Sequence, residues 1–272
     1  MSTAAGNEKM KIAIGVFDGV HRGHQAVIAR AHLVLTISPH PHPGIKLLTS
    51  PAEKKDLIGN MAEFNFSRAH ARLSPEQFII WLQKKYAPET LIVGHDFHFG
   101  YQRQGNIETL KTLAARYNFE ALEIPEYTYG RQPVRSSTIR ACLQDGKIRQ
   151  ANKLLGREYQ LNGVIVRGKQ LGRRLGYPTI NLKPDHPQKL IPAAGVYAAE
   201  AIAQNKLYPA AVFIGNGVIE AHLPGFSGNL YGQRATLFLK DYLRANQQFD
   251  SPDKLSRQIK KDIQQLKSAL RA

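Results

Sequence analysis

K-I-A-I-G-V-F-D-G-V-H-R-G-H-Q, Lys11 to Gln25, is the stretch whose reading decides how the chain is built. The run Ile12–Val16 is short, apolar and rich in β-branched residues, which fits a strand buried on both faces. A turn with Asp18, Gly19 and Gly23 follows at once, with His21 and His24 around it, and Ala26–Ala31 reads as a helix. A buried strand that feeds a glycine turn and then a helix start is an anion site, because the first N–H groups of a helix have no intrahelical partner. Gly23 lets backbone approach a phosphate closely, and the two imidazoles can donate to it or offset charge in phosphoryl transfer. The alternative is a strand, turn and helix whose histidines only cap or pack.

The alternation continues downstream. Leu33–Ile37 is a second apolar run, and Ser38–Gly44 is a proline-broken loop at its end, where open α/β sheets hold ligands. His40 and His42 in that loop read as metal ligands or as polar and phosphate-contacting residues; no carboxylate or cysteine accompanies them at ligand spacing. Pro51–Ile58 and Ser74–Lys85 are helix candidates, the second with Ser74 as N-cap, Pro75 at the first position and Gln77 closing a capping box. Between them Met61–Phe66 offers little for a strand. Leu91–Val93 is a buried strand that runs into Gly94–Gly100, a segment with a carboxylate, Asp96, and rings able to stack on a planar ligand. Thr109–Tyr117 is an amphipathic helix and Ala121–Ile124 a strand. Ser136, Ser137, Thr138 and Arg140 then gather at a further helix start. Two anion-binding helix starts in one strand–helix alternation predict a doubly wound α/β nucleotide domain.

Composition limits the rest. The chain has 272 residues, 43% hydrophobic and 21% charged, so there is material for proper cores. Lys and Arg number 37 against 21 Asp and Glu, a formal +16, which favours polyanionic partners. Basic runs and interleaved aromatic platforms are missing, so small phosphorylated substrates are favoured over nucleic acid. Cys142 is the only cysteine, which excludes an internal disulfide framework and a cysteine zinc site. No stretch reaches the roughly 18–20 apolar residues that span a bilayer, and residues 1–11 lack a signal-peptide core, so the expectation is a cytoplasmic protein with no membrane partner.

After Gly146 the pattern shifts. Lys147–Leu155 is helical, Gly156 is its stop, and from Tyr159 short strands and glycines predict an antiparallel β-barrel over 156–272 after a first domain over 1–155. Gly168, Gly172 and Gly176 permit close backbone approach beside Lys169 and Arg173. Thr179 and Asn181, two apart on an extended segment, share a face and suit Mg²⁺. Strands follow at Ile191–Ala198, Ala211–Ile214, Val218–Leu223, Leu230–Gly232 and Ala235–Leu239. Glu220 and His222 share one face, and a carboxylate beside a magnesium nucleotide is fit to deprotonate a primary hydroxyl. Ser251–Leu270 closes the chain as a helix with Leu255, Ile259, Ile263 and Leu266 as its apolar stripe.

G-V-F-D-G-V-H-R-G-H-Q (15–25), V-G-H-D-F-H-F-G-Y-Q-R-Q-G (93–105) and S-S-T-I-R (136–140) resemble, in order, the adenylyltransferase half of the bacterial bifunctional riboflavin kinase/FMN adenylyltransferase (FAD synthetase) family. G-V-I-V-R-G (163–168), G-R-R-L-G-Y-P-T-I-N (172–181), P-A-A-G-V-Y (192–197), E-A-H (220–222) and L-Y-G (230–232) resemble its kinase half. The resemblance implies a Rossmann-like nucleotidyltransferase domain followed by a riboflavin kinase barrel. It implies nucleotide contacts at Gly15, Phe17, Asp18, Gly23, Ser136, Ser137, Thr138, Arg140, Gly168, Lys169, Gly172, Arg173, Gly176 and Pro178, with His21 and His24 on the ATP phosphates. Asp96 and Phe99 would lie by the flavin, Thr179 and Asn181 would bind MgATP, and Glu220 would activate the ribityl hydroxyl. Riboflavin, FMN and ATP are then the substrates and FMN and FAD the products. The alternatives are a riboflavin kinase with an impaired first domain and a basic RNA- or regulator-binding protein on the same fold.

Overall fold

The computed structural model describes residues 10–168, 172 and 175–271. Two compact units emerge: the chain up to Ile45 with Pro51–Val134, and Lys46–Ser50 with the chain from Arg135 on.

In the first unit β1 (Lys11–Gly15), β2 (Leu33–Ser38), β3 (Met61–Asn65), β4 (Thr90–Gly94) and β5 (Glu120–Ile124) form one parallel sheet in the order β3-β2-β1-β4-β5. Helices α1 (Arg22–Ile28), α2 (Pro51–Ile58), α3 (Pro75–Tyr86) and α4 (Ile107–Arg116) lie between successive strands. Alternate strand residues serve opposite faces. Ile12, Ile14, Leu35, Leu91 and Val93 pack with Phe78, Ile79, Leu82, Leu110 and Leu113, whereas Ala13, Val34 and Ile92 pack with Phe17 and Val27. Covering both faces is why these strands read as unbroken apolar runs. The short ribbon β6 (Thr128–Tyr129) and β7 (Gln132–Pro133) follows β5. The chain leaves β1 for β2 on one side and later returns to β4 on the other, so the strand order reverses between β1 and β4, the place where such sheets take ligands.

The second unit holds α5 (Ser136–Gln144), α6 (Ile148–Leu155) and a closed antiparallel barrel. Its strands are β8 (Tyr159–Val166), β9 (Thr179–Pro184), β10 (Gly195–Ala203), β11 (Lys206–Gly215), β12 (Val218–His222) and β13 (Arg234–Arg244), closed in the order β10-β11-β12-β9-β8-β13. The strict alternation of buried Tyr159, Leu161, Gly163 and Ile165 along β8 puts one face of the strand inside. Gly156 ends α6 at φ +77°, the left-handed stop that glycine supplies without strain. The C-terminal helix Pro252–Ala269 starts on Ser251, whose hydroxyl accepts from the Lys254 N–H, a cap worth about 1 kcal/mol. Its Asp262, buried on the same helix, receives Arg244 Nε and Nη2 at 2.9 and 2.7 Å.

Four local expectations are corrected. Helix α1 begins at Arg22, not Ala26, because His21 caps it, so Gly23 and His24 belong to its first turn. Met61–Asn65 is a full edge strand paired along β2, since backbone pairing compensates for a single buried side chain, Phe64. Ile191–Ala194 precede β10, which starts at Gly195, and Leu230–Gly232 form a turn before β13, not a strand.

Candidate active sites

The loop after β1 carries the first cluster. Phe17 and Val20 hold φ of +49° and +40°, a left-handed backbone that costs a residue with a Cβ roughly 1–2 kcal/mol. The turn is closed by Val20 N–H donating to Phe17 O at 3.1 Å and by Gln25 Nε2 donating to Val20 O at 2.9 Å. Strain of this kind persists where surrounding structure over-determines it, which happens at functional sites. Gly15 leaves room beneath it: a Cβ there would press on the Phe17 ring at 3.0 Å. Asp18 and His21 are both buried.

His21 and His24 stack with centroids 3.5 Å apart, and the edge of Phe17 abuts His24 at 5.4 Å. His21 Nδ1 accepts from the His24 backbone N–H at 3.3 Å, so a neutral His21 carries its proton on Nε2. A Cβ on Gly23 would press on the His21 ring at 3.3 Å, so glycine here leaves the ring room to lie flat on His24. The sequence reading placed Gly15, Phe17, Asp18, His21, Gly23 and His24 in one site, and all six meet here.

Across the strand reversal, the loop after β4 carries Asp96, which is exposed, and Phe99, which is 6% exposed. Phe99 stacks on Phe97 and leans on Phe78, so Phe97 is the half-buried ring of the pair. Glycine is needed at 105, where a Cβ would lie 2.7 Å from the Phe99 ring. His95 Nε2 faces Glu126 Oε1 at 3.5 Å and ties this loop to the one after β5.

Ser136, Ser137 and Thr138 open α5 and Arg140 Nε donates to Lys46 O at 3.1 Å; these residues lie in the second unit. The loop His40–His42 closes on itself, His40 Nδ1 accepting from the His42 N–H at 3.1 Å.

The barrel carries the other cluster. Its register sets Asn181 of β9 opposite Glu220 of β12 and Thr179 opposite His222. Thr179 Oγ1 donates to Glu220 Oε2 at 3.5 Å, and all four side chains are half-buried. His222 Nδ1 meets Pro178 O at 2.9 Å, a contact in which the ring nitrogen must donate, and Tyr177 packs edge-on against the same ring at 5.6 Å. Gly168 crosses directly over Asn181: an added Cβ would lie 2.2 Å from its amide nitrogen. Gly172 crosses over Tyr177 O in the same way, at 2.3 Å, and Gly176 turns the chain at φ +81°. Lys169 and Arg173 lie outside the described residues.

Hydroxyl, amide and carboxylate oxygens are the hard donors that Mg²⁺ takes, and an ion that keeps phosphate and water ligands needs only one or two from protein. The hydroxyl of Thr179 and the amide oxygen of Asn181 therefore fit the metal. Among the described residues no group of three or more His, Cys, Asp or Glu could hold one.

Two residues here escaped the sequence reading. Phe213 of β11 pairs with Glu220 and shares its face, a position that only the register reveals. Lys54 Nζ donates to Val16 O at 2.7 Å, immediately before the strained turn.

Residues 3–138 match the family described as FAD synthetase, and residues 155–270 match that described as riboflavin kinase. A bifunctional riboflavin kinase/FMN adenylyltransferase of Buchnera aphidicola subsp. Schizaphis graminum is 34% identical over 297 residues, spanning 96% of this chain and 94% of its own. The chain belongs to the bifunctional riboflavin kinase/FMN adenylyltransferase family. Members from Bacillus subtilis (strain 168) and Escherichia coli (strain K12), under the same name, are 31% and 30% identical and overlap 94% and 95% of this chain and 91% and 92% of their own. The fold extends to a crystal structure from Streptococcus pneumoniae described as a macrolide-efflux protein, with a TM-score of 0.84, 26% identity and coverage of 95% of this chain and 94% of that one. That name describes the other protein; among the described residues of this family member no helix is long and apolar enough to cross a membrane. The parallel sheet thus falls in the FAD synthetase region and the barrel in the riboflavin kinase region, and the chain is an enzyme of both kinds.

Proposed function

We propose that the barrel phosphorylates riboflavin to FMN and the parallel-sheet unit adenylylates FMN to FAD, with residues 1–155 and 156–272 as the working domains. The observation that carries the reading is the β9–β12 register, which lines up Thr179, Asn181 and Glu220 on one barrel face.

In the kinase reaction Glu220 accepts the proton of the riboflavin 5′-hydroxyl as its oxygen bonds to the γ-phosphorus of ATP. The bond from that phosphorus to the β–γ bridging oxygen breaks, and ADP leaves. Mg²⁺, when bound, neutralises phosphate charge. Thr179 and Asn181 would hold it with the phosphates, the Gly168 and Gly172 backbone closes over them, and Phe213 offers a ring on the same face. Thr179 also orients the Glu220 carboxylate through its hydroxyl.

In adenylyl transfer the FMN phosphate bonds to the α-phosphorus of ATP and pyrophosphate leaves, a displacement governed by positioning and charge neutralisation. His24 and the Nε2 edge of His21 are suited to donate to the phosphates. Asp96 and the Phe97 ring, backed by Phe99, are suited to the flavin. A reaction that consumes ATP runs where ATP is, so we place the enzyme in the cytoplasm.

Protein given riboflavin and MgATP forms FMN and then FAD, resolved by chromatography. Glu220→Gln lowers FMN formation by roughly 10²- to 10⁴-fold, the usual loss for a general base, while FAD still forms from added FMN. FMN accumulation without FAD in the wild type would refute the adenylyl half, and unchanged kinase turnover in Glu220→Gln would refute the assignment of the base.

A further inference from the structure

Lys54 lies on α2, the helix after β2, yet its amino group reaches the end of β1. It donates to Val16 O at 2.7 Å, the carbonyl that leads into Phe17, Asp18 and the left-handed turn beneath His21 and His24. Its side chain is half-buried, and the charges that act on it are Asp18 in that turn and Glu63 on β3.

We propose that Lys54 is a positioning residue for adenylyl transfer, holding the Val16–Asp18 backbone so that the histidine pair meets the nucleotide phosphates. This rests on the reading that the His21/His24 cluster is the adenylyl site.

Three features favour that role over a surface contact. The bond spans 38 residues and joins two different strand–helix connections. The carbonyl it holds stands next to a residue in strained backbone, where a lost tether lets the turn relax. Burial pushes the ammonium below its ordinary value, and Asp18 in the turn and Glu63 on β3 pull it back up, so the amino group sits among the charges of the strained turn. A site for phosphates gains from such a charge.

The test uses the full chain with Lys54→Met, Lys54→Arg and His24→Ala. FMN adenylylation and riboflavin phosphorylation are measured on each preparation. Lys54→Met is expected to lower the kcat of adenylylation about 100-fold, the scale of a 1 Å misplacement, with KM for ATP and riboflavin phosphorylation changed less than threefold. Lys54→Arg is expected to recover at least tenfold of that loss. It should also flatten the alkaline decline of the wild-type rate, because arginine stays charged. Lys54→Met adenylylating within threefold of wild type, while His24→Ala is inactive, overturns the role of Lys54 alone. Full activity in His24→Ala overturns the reading of the site and this proposal with it. Should Lys54→Met fail to fold, Lys54→Gln takes its place, and adenylylation by Lys54→Gln within threefold of wild type, with His24→Ala inactive, overturns the proposal by itself.

Discussion

Gly168→Ala probes the proposed kinase site through a single methyl group. The Cβ it adds would lie 2.2 Å from Asn181 Nδ2, 2.5 Å from Cγ and 2.6 Å from Oδ1, so the whole amide stands in its path. To regain ordinary contact at 3.4 Å the amide has to retreat by about 1.2 Å. Asn181 sits mid-strand, paired with Glu220 on one side and Val166 on the other, so its backbone cannot follow and the side chain must turn away from Thr179. A misplacement of about 1 Å at a phosphoryl-transfer site costs on the order of 10²-fold in rate. The expected result is a riboflavin kinase kcat down about 100-fold, with FAD formation from added FMN unchanged. Asn181→Ala should lose a comparable amount, and the double variant little more than either, because both remove one interaction. Kinase turnover of Gly168→Ala within threefold of wild type, or strict additivity in the double variant, would refute the reasoning. Gly176→Ala is the internal contrast: its Cβ meets nothing within 4 Å, so only the φ of +81° stands against it, at about 1 kcal/mol.

Three further outcomes are expected. Asp262→Ala leaves the Arg244 guanidinium without its bidentate partner and should lower the unfolding free energy by about 3 kcal/mol in urea titrations, whereas replacing both by apolar residues of similar size should restore most of it. Burial pushes the Cys142 thiol up and covers it, so Ellman's reagent should find no reactive thiol in the native protein and one after denaturation. The Lys54 ammonium titrates below the ordinary 10.5, so an activity that needs its charge should decline on the alkaline side sooner than an exposed lysine would dictate; between the folded and unfolded values the unfolded chain binds more protons, so this group's contribution to stability rises with pH, as a pH series of thermal melts on wild type and Lys54→Met would register.

Much of the fold was legible because its signals are local. Ile12–Val16 and Leu91–Val93 are continuous apolar runs since both faces of the sheet are covered, and Ser74-Pro75-Gln77 and Ser251-Pro252 announce their helices through caps that the structure forms. The start of α1 was not legible because its cap is His21, a residue type outside the usual capping set. Met61–Asn65 was faint because an edge strand with one buried side chain depends on its neighbour for definition. Thr179, Asn181 and Glu220, the proposed kinase residues, were readable within two alternating pairs, but their meeting depends on a register that no spacing within either strand encodes. Phe213, Lys54 and Asp262 were invisible for one reason: each acquires its role from a partner 7 to 38 residues away in sequence and on another element.

The two sites solve the positioning problem differently. In the barrel Thr179, Asn181 and Glu220 stand on paired strands, so hydrogen-bonded register fixes their spacing, and Gly168, which passes over Asn181, must carry no side chain. In the parallel sheet the corresponding groups stand beyond the strand ends, on loops and in the first turn of α1, where no ladder holds them. The first loop compensates with strained residues at Phe17 and Val20, a buried Asp18, and bonds from Gln25 and Lys54 at its two ends. A site held by register tolerates the loss of one side-chain contact better than a site held by tethers. Alanine substitutions around Glu220 that spare Thr179, Asn181 and Glu220 itself should therefore cost the kinase less than the loss of Lys54 costs adenylyl transfer.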